Sequence, residues 1–174
     1  MAGTVDPLGK ITAGDDLLGK IRKTLSGFIG YLDRENRREA DKLLRATIAS
    51  RYEQQWNRIS AIQRQMIEAG NLEQVDQLEA AAIKLRAFID RVKVASYGYA
   101  WFFDAVRVNE TELQKIYSYD LQLLEDVNSI SSAVDNVEAS MGSDGLPAAM
   151  RHLTTLSQDV IDAYDRRDEV LLAL

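Results

Sequence analysis

The chain reads as an all-α protein: an elongated antiparallel bundle of four or five helices with a long, coiled-coil-like central hairpin. Three observations lead there. Apolar residues recur at 3-and-4 spacing through long runs that use nearly all of the 174 residues, which keeps one stripe on a single helical face for many turns. No segment alternates apolar and polar residues with the period of two that a half-buried strand needs. Finally, the strongest breakers gather at a few points, which makes them punctuation between helices.

Residues 1–14, with Pro7 and several glycines, read as a flexible leader, and residues 15–174 as one helical-bundle domain. Asp15 or Asp16 can cap a first helix carrying Leu18, Ile21, Leu25, Phe28 and Leu32. Gly27 and Gly30 weaken its second half, so the chain either bends near Gly30 or runs on into the next helix. The second helix is expected from about Asp33 to Ala69, with Leu44, Ile48, Tyr52, Ile59, Ile62 and Met66 on its stripe and Trp56 beside it.

Gly70 suits the left-handed position past a helix end and Asn71 can cap the next helix, the pattern of a tight hairpin. The third helix, Asn71 to about Arg107, would then equal the second in length and pair along all of it, with a kink allowed at Ser96 and Gly98. Its stripe is Val75, Leu78, Ala82, Leu85, Ile89, Val92, Ser96, Tyr99, Phe103 and Val106. Asn109 and Glu112 form a capping box for a fourth helix on Leu113, Ile116, Asp120, Leu123, Val127, Ile130, Val134, Val137 and Met141. After the loop at 142–147, a last helix carries Ala149, Leu153, Leu156, Val160, Ala163, Arg167, Val170 and Leu174. Gln55, Ser96, Asp120 and Arg167 interrupt these stripes, and apolar neighbours widen them, which suits a bundle better than an isolated two-stranded coil.

Composition narrows the function classes. With 46% apolar and 28% charged residues the chain belongs with globular proteins. The absence of cysteine removes disulfides, thiolate metal sites and thiol nucleophiles, and fits a cytoplasmic location. Neither a secretory signal nor a membrane-spanning run is expected. Residues 1–107 hold 17 Lys and Arg against 14 Asp and Glu, whereas residues 108–174 hold 4 against 13. The acidic part is therefore expected to fold against the basic part, and a sequence pI near 4.9 argues against nucleic acid as a partner.

No catalytic set and no cofactor motif stands out. A di-metal bundle needs Glu-x-x-His on two helices, and the single histidine, His152, has Ala149 three residues before it, so no metal is expected. His152 reads as a surface or boundary residue. Asp120, on an apolar stripe, must be paired if buried, with a Tyr hydroxyl or an Arg of the basic part. The densest feature is the aromatic run 97–103, five of 13 aromatic residues. Its rings point around the whole circumference of a helix, so it is expected to fill a broad bundle end. The other reading makes Tyr97, Tyr99, Trp101 and Phe102 an interaction surface or ligand pocket. Two further patches carry cations. Lys20, Arg22 and Lys23 stand opposite the apolar side of residues 17–31, which is also how a membrane-surface helix is written. Arg34, Arg37 and Arg38 alternate with acids, as on a solvated helix face.

Two stretches, Tyr31-Leu32-Asp33-Arg34-Glu35-Asn36-Arg37-Arg38-Glu39-Ala40-Asp41-Lys42-Leu43-Leu44 and Ala95-Ser96-Tyr97-Gly98-Tyr99 with Phe102-Phe103-Asp104-Ala105-Val106, resemble an uncharacterised group of bacterial long-helix proteins. The resemblance spans roughly residues 31–127 and implies a bacterial origin; it brings no activity and no functional residues. The expected function is a non-enzymatic helical scaffold or adaptor that associates with itself or with another protein. The alternatives are a peripheral membrane or stress-associated protein anchored by 17–31, and a small-ligand binder at 97–103.

Overall fold

A computed structural model describes residues 7–95, 99–104 and 108–173. Among these residues every regular element is helical: α1 (Pro7–Thr24), a 3-10 turn (Arg34–Asn36), α2 (Arg37–Glu68), α3 (Leu72–Val94), α4 (Ala100–Asp104), α5 (Glu110–Ser140) and α6 (Leu146–Leu172). The all-α fold expected from the periodicity is the fold observed.

The sequence-based boundaries need several corrections. α1 begins at Pro7, inside the expected leader, because proline is well suited to a first helical turn, where its missing N–H costs no bond. Asp15 and Asp16 lie within the helix and do not cap it. α1 stops at Thr24, since Gly27 and Gly30 both adopt positive φ (85° and 88°), a conformation no helix interior holds. Asp33 accepts from the Glu35 N–H and caps the 3-10 turn, so α2 starts four residues later than expected. α3 ends at Val94 and α4 is a separate short helix, so α3 has 23 residues against 32 for α2 and pairs with only part of it. Ser96, Tyr97, Gly98 and Val106 lie outside the described residues.

The turn at Gly70 closes as expected, by a different bond. Gly70 takes φ +78°, its N–H donates to Ile67 O, and the Asn71 N–H donates to Met66 O. These two backbone bonds make a Schellman end; the Asn71 side chain caps nothing. At α5 the capping box is complete: the Asn109 side chain accepts from the Glu112 N–H, and the Glu112 carboxylate accepts from the Asn109 N–H.

Four long helices form the bundle. α2 packs on α3 and α5, and α6 on α3 and α5, giving the ring order α2–α3–α6–α5, while α1 lies outside against α5. Within each hairpin the helices are antiparallel, as Gln63 to Glu79 and Arg167 to Asp120 show. Between hairpins they run the same way. Tyr52 of α2 meets Leu123 of α5 and Arg58 meets Ser131, while Lys84 of α3 meets Gln158 of α6 and Arg91 meets Asp165. The bundle is thus two antiparallel hairpins laid side by side in parallel, not an antiparallel bundle throughout. Short loops force sequence neighbours together. The long 95–109 connection instead lets α5 begin diagonally across from where α3 ends.

Candidate functional site

Two regions concentrate side chains with chemistry. The first is the bundle end crossed by α4. Tyr31 stacks on Tyr117 with centroids 5.5 Å apart, Phe28 meets Tyr31 edge-on, and Phe102 packs against both Tyr31 and Phe103. Tyr99, Phe102 and Phe103 are buried, and Trp101 is half-buried beside Phe102. Tyr99 and Phe102 are therefore core residues and not an interaction surface. The rings meet because three segments converge here and each supplies part of the wall.

Gly30 makes that convergence possible. The Tyr117 hydroxyl accepts from the Tyr31 N–H at 2.7 Å, and a Cβ at Gly30 would sit 2.6 Å from that oxygen. Arg37 is buried too, donating to Tyr31 O at 2.6 Å and to Phe102 O at 3.1 Å. It belongs to the core and not to a solvated basic patch. The other patch residues are spent locally. Lys20 pairs with Asp16, Arg22 donates to Phe28 O, and Arg38 faces Asp104 and lies over the Phe103 ring, while Lys23 and Arg34 are exposed. The apolar side of 17–31 (Leu18, Ile21, Leu25, Phe28) is buried in the bundle, so the face a membrane would take is already occupied.

Behind the rings lies a buried ionic cluster. Arg167 donates from Nε to Asp120 Oδ1 at 2.5 Å and from Nη2 to the Tyr31 hydroxyl at 3.3 Å, and it stands 3.6 Å from Asp41, which also accepts from Arg45 at 2.7 Å. The two charged interruptions of the α5 and α6 stripes thus neutralise each other. Asp120 does find an Arg and lies near a Tyr hydroxyl, but the Arg comes from the acidic part of the chain. Burial pushes the Asp120 carboxyl above the usual carboxylate range, against the pull of Arg167 and Tyr31. Burial works to lower Arg167, yet Asp120, Tyr31 and Asp41 hold it well above its ordinary value. Asp120 Oδ2 and Arg167 Nη1 are left without a hydrogen bond. Alongside, the Tyr99 hydroxyl donates to Asp168, whose pKa burial also raises.

The cluster holds the fold but does not gather a reactive set. Among the described residues no group of three or more His, Cys, Asp or Glu is placed to hold a metal, and no helix is long and apolar enough to cross a membrane. His152 is exposed, as expected.

The second region is on the outside and was not singled out from the sequence. Leu72, Ile83 and Val94 of α3 are exposed by 63%, 59% and 62%. They are spaced eleven apart, close to three turns, so all three fall on one stripe. Ala80 and Ala87 fill the same stripe and are also exposed. This face points away from the buried residues Leu78, Leu85, Ile89 and Val92. Asp76 and Asp90 lie on the stripe itself, Glu73 and Glu79 beside it, and the flanking Lys84, Arg86, Arg91 and Lys93 bond Gln158, Asp90, Asp165 and Glu53 within the molecule. The eleven-residue repeat was readable in the sequence, but the stronger core stripe on the same helix masks it.

Comparison of the chain with protein-family models, with curated proteins and with solved structures gives no match.

Proposed function

We propose that the protein is a non-enzymatic helical scaffold that associates with a helical partner along the outward face of α3. The carrying observation is the set of exposed apolar residues Leu72, Ala80, Ile83, Ala87 and Val94, opposite the core on a stripe that Asp76 and Asp90 interrupt. Scattered surface leucines and isoleucines need no explanation. An aligned apolar stripe with charged flanks is how helices are written that dock against other helices. The rings of α4 pack on their neighbours, while Tyr117 of the same end lines a pocket of about 310 Å³ with Leu18 and Leu113.

A photo-reactive amino acid placed at Ile83 in the full chain, inside cells, tests the proposal. A discrete adduct is expected from position 83 and none from Lys23, an exposed control on α1. Equal background at both positions would remove the α3 face as a docking surface.

A further inference from the structure

Beside the aromatic end, a pocket of about 310 Å³ opens between α1, the start of α5 and the chain that follows Gly30. Leu18, Leu113 and Tyr117 are buried and form its base, whereas Leu32, 69% exposed, and the half-buried Val108 form its lip. The base is fixed by packing. A Cβ at Gly30 would come within 3.2 Å of Leu18 and 2.6 Å of the Tyr117 oxygen, so α1, the turn after it and α5 meet closely at this point. The volume lies at the lower end of the range for pockets that hold small organic molecules, about 300–1,000 Å³.

Two carboxylates from different helices complete the lining. Asp15 of α1 and Glu110 in the first turn of α5 are both exposed. Among the described residues neither side chain makes an ion pair or a hydrogen bond, although their neighbours do: Asp16 pairs with Lys20, and Glu112 closes the capping box with Asn109. The pairing of charge with apolar wall decides what fits. An anion would meet both carboxylates. A metal ion takes oxygen ligands on all sides, and the apolar walls offer none. An ammonium group on a hydrocarbon body suits both parts: the body leaves water against the leucines, and the charge stays at the rim. The orientation follows too. At the buried end the Tyr117 hydroxyl is bonded to the Tyr31 N–H and lies in the field of Arg22 and Arg37, which disfavours a further cation there.

We infer that this pocket binds a small organic ammonium ion, its hydrocarbon part seated on Leu18, Leu32, Leu113 and Tyr117 and its charge at the rim with Asp15 and Glu110. The site lies apart from the α3 face, so it adds to the scaffold reading and does not depend on it. Burial of the hydrocarbon supplies most of the affinity, and the exposed carboxylates supply the choice of sign. Leu18 belongs to α1, Leu32 to the link after it and Leu113 to α5, so an occupant touches all three and holds α1 against the bundle.

Hexylammonium, 1-hexanol and hexanoate share one hydrocarbon chain and differ in charge, so methyl NMR titrations of the full chain with each probe test the site. Hexylammonium is expected to shift the methyls of Leu18, Leu32 and Leu113 saturably and to bind about fivefold tighter than hexanol, with hexanoate weakest. The preference should shrink at high salt. Asp15→Asn with Glu110→Gln should bring hexylammonium down to the level of hexanol and leave hexanol unchanged, whereas Leu32→Ser should weaken both alike. Glu73→Gln with Asp76→Asn removes the same charge from α3 and should change nothing. All these positions are exposed, and circular dichroism checks that each variant folds. Hexylammonium that leaves the three leucines unshifted overturns the inference, as do equal binding of the three probes and a preference for hexanoate. A loss in the α3 variant equal to that in the pocket variant overturns it too, because net charge and not the pocket would then select the cation.

Discussion

Arg167 shows what a buried charge does in this bundle. Its guanidinium faces Asp120, Asp41 and the Tyr31 hydroxyl from helix α6, with 2% of its surface exposed. Truncating one member of such a cluster leaves the others charged and dry. Arg167→Leu is therefore expected to cost about 3–5 kcal/mol in urea unfolding, whereas adding Asp120→Leu should recover much of the loss, because Asp41 keeps Arg45. A double variant no better than the single would mean that shape and not charge dominates. Gly30 gives a second test. Gly30→Ala combines a left-handed φ with a 2.6 Å approach to the Tyr117 oxygen, so a loss of about 2–4 kcal/mol is expected. Gly70→Ala has the same φ problem with open space around it and should cost only about 1 kcal/mol. Asp126 supplies one part of the pH dependence, beside Asp120 and Asp168. Burial, aided by Asp159 and Glu125, raises its folded-state pKa above the unfolded 3.8. The folded chain then binds the extra proton across that interval, so this group favours folding below 3.8 and the benefit is lost as pH rises through the raised value. Asp126→Asn should raise the urea midpoint at neutral pH and leave it unchanged in acid; an equal change at both would remove burial as the cause.

At the scale of single helices, legibility depended on whether the signal was local. The Gly70 turn, the Asn109–Glu112 box and most of the 3-and-4 stripes are each written within a few residues and stand where they were expected. Leu32, expected on the first stripe, instead lies beyond α1 and is exposed, and the third stripe breaks at Val94. The boundaries at 24–37 and the end of α3 at 94 were not legible, because they depend on contacts far away in the chain. Gly30 is glycine on account of Tyr117, and Arg37 is buried on account of Phe102. The aromatic run divided likewise: its spacing placed Phe103 on the core stripe, but only the crossing of α4 accounts for Phe102. Phe103→Ala is thus expected to cost about 3–5 kcal/mol, and Trp101→Ala, half-buried, clearly less. Equal melting temperatures for the two variants would contradict that ordering. The outward α3 stripe was legible too, but it lay in the shadow of a broader apolar face on the same helix.

For the molecule as a whole, the split in charge is largely resolved internally. Arg58 reaches Asp135 and Glu138, and Arg91 reaches Asp165 and Asp168, each joining the basic part to the acidic part. These pairs are partly exposed and individually weak, so they orient the hairpins more than they hold them. What holds them is the continuous apolar core shared by all four long helices.

The parallel laying of the two hairpins sets an order of events in folding. Each hairpin closes over a short turn, whereas the bonds between hairpins join residues 71 to 74 positions apart. Local closure is fast and long-range docking must wait for it. The α2–α3 turn should therefore be formed at the barrier and the inter-hairpin seam should not. In stopped-flow experiments Gly70→Ala is expected to slow folding, while Tyr52→Phe, which removes the hydroxyl bonded to Leu123 O, should chiefly speed unfolding. If Tyr52→Phe slows folding by its full loss of stability, the hairpins meet before they close, and the crossing at 95–109 is threaded early instead of last.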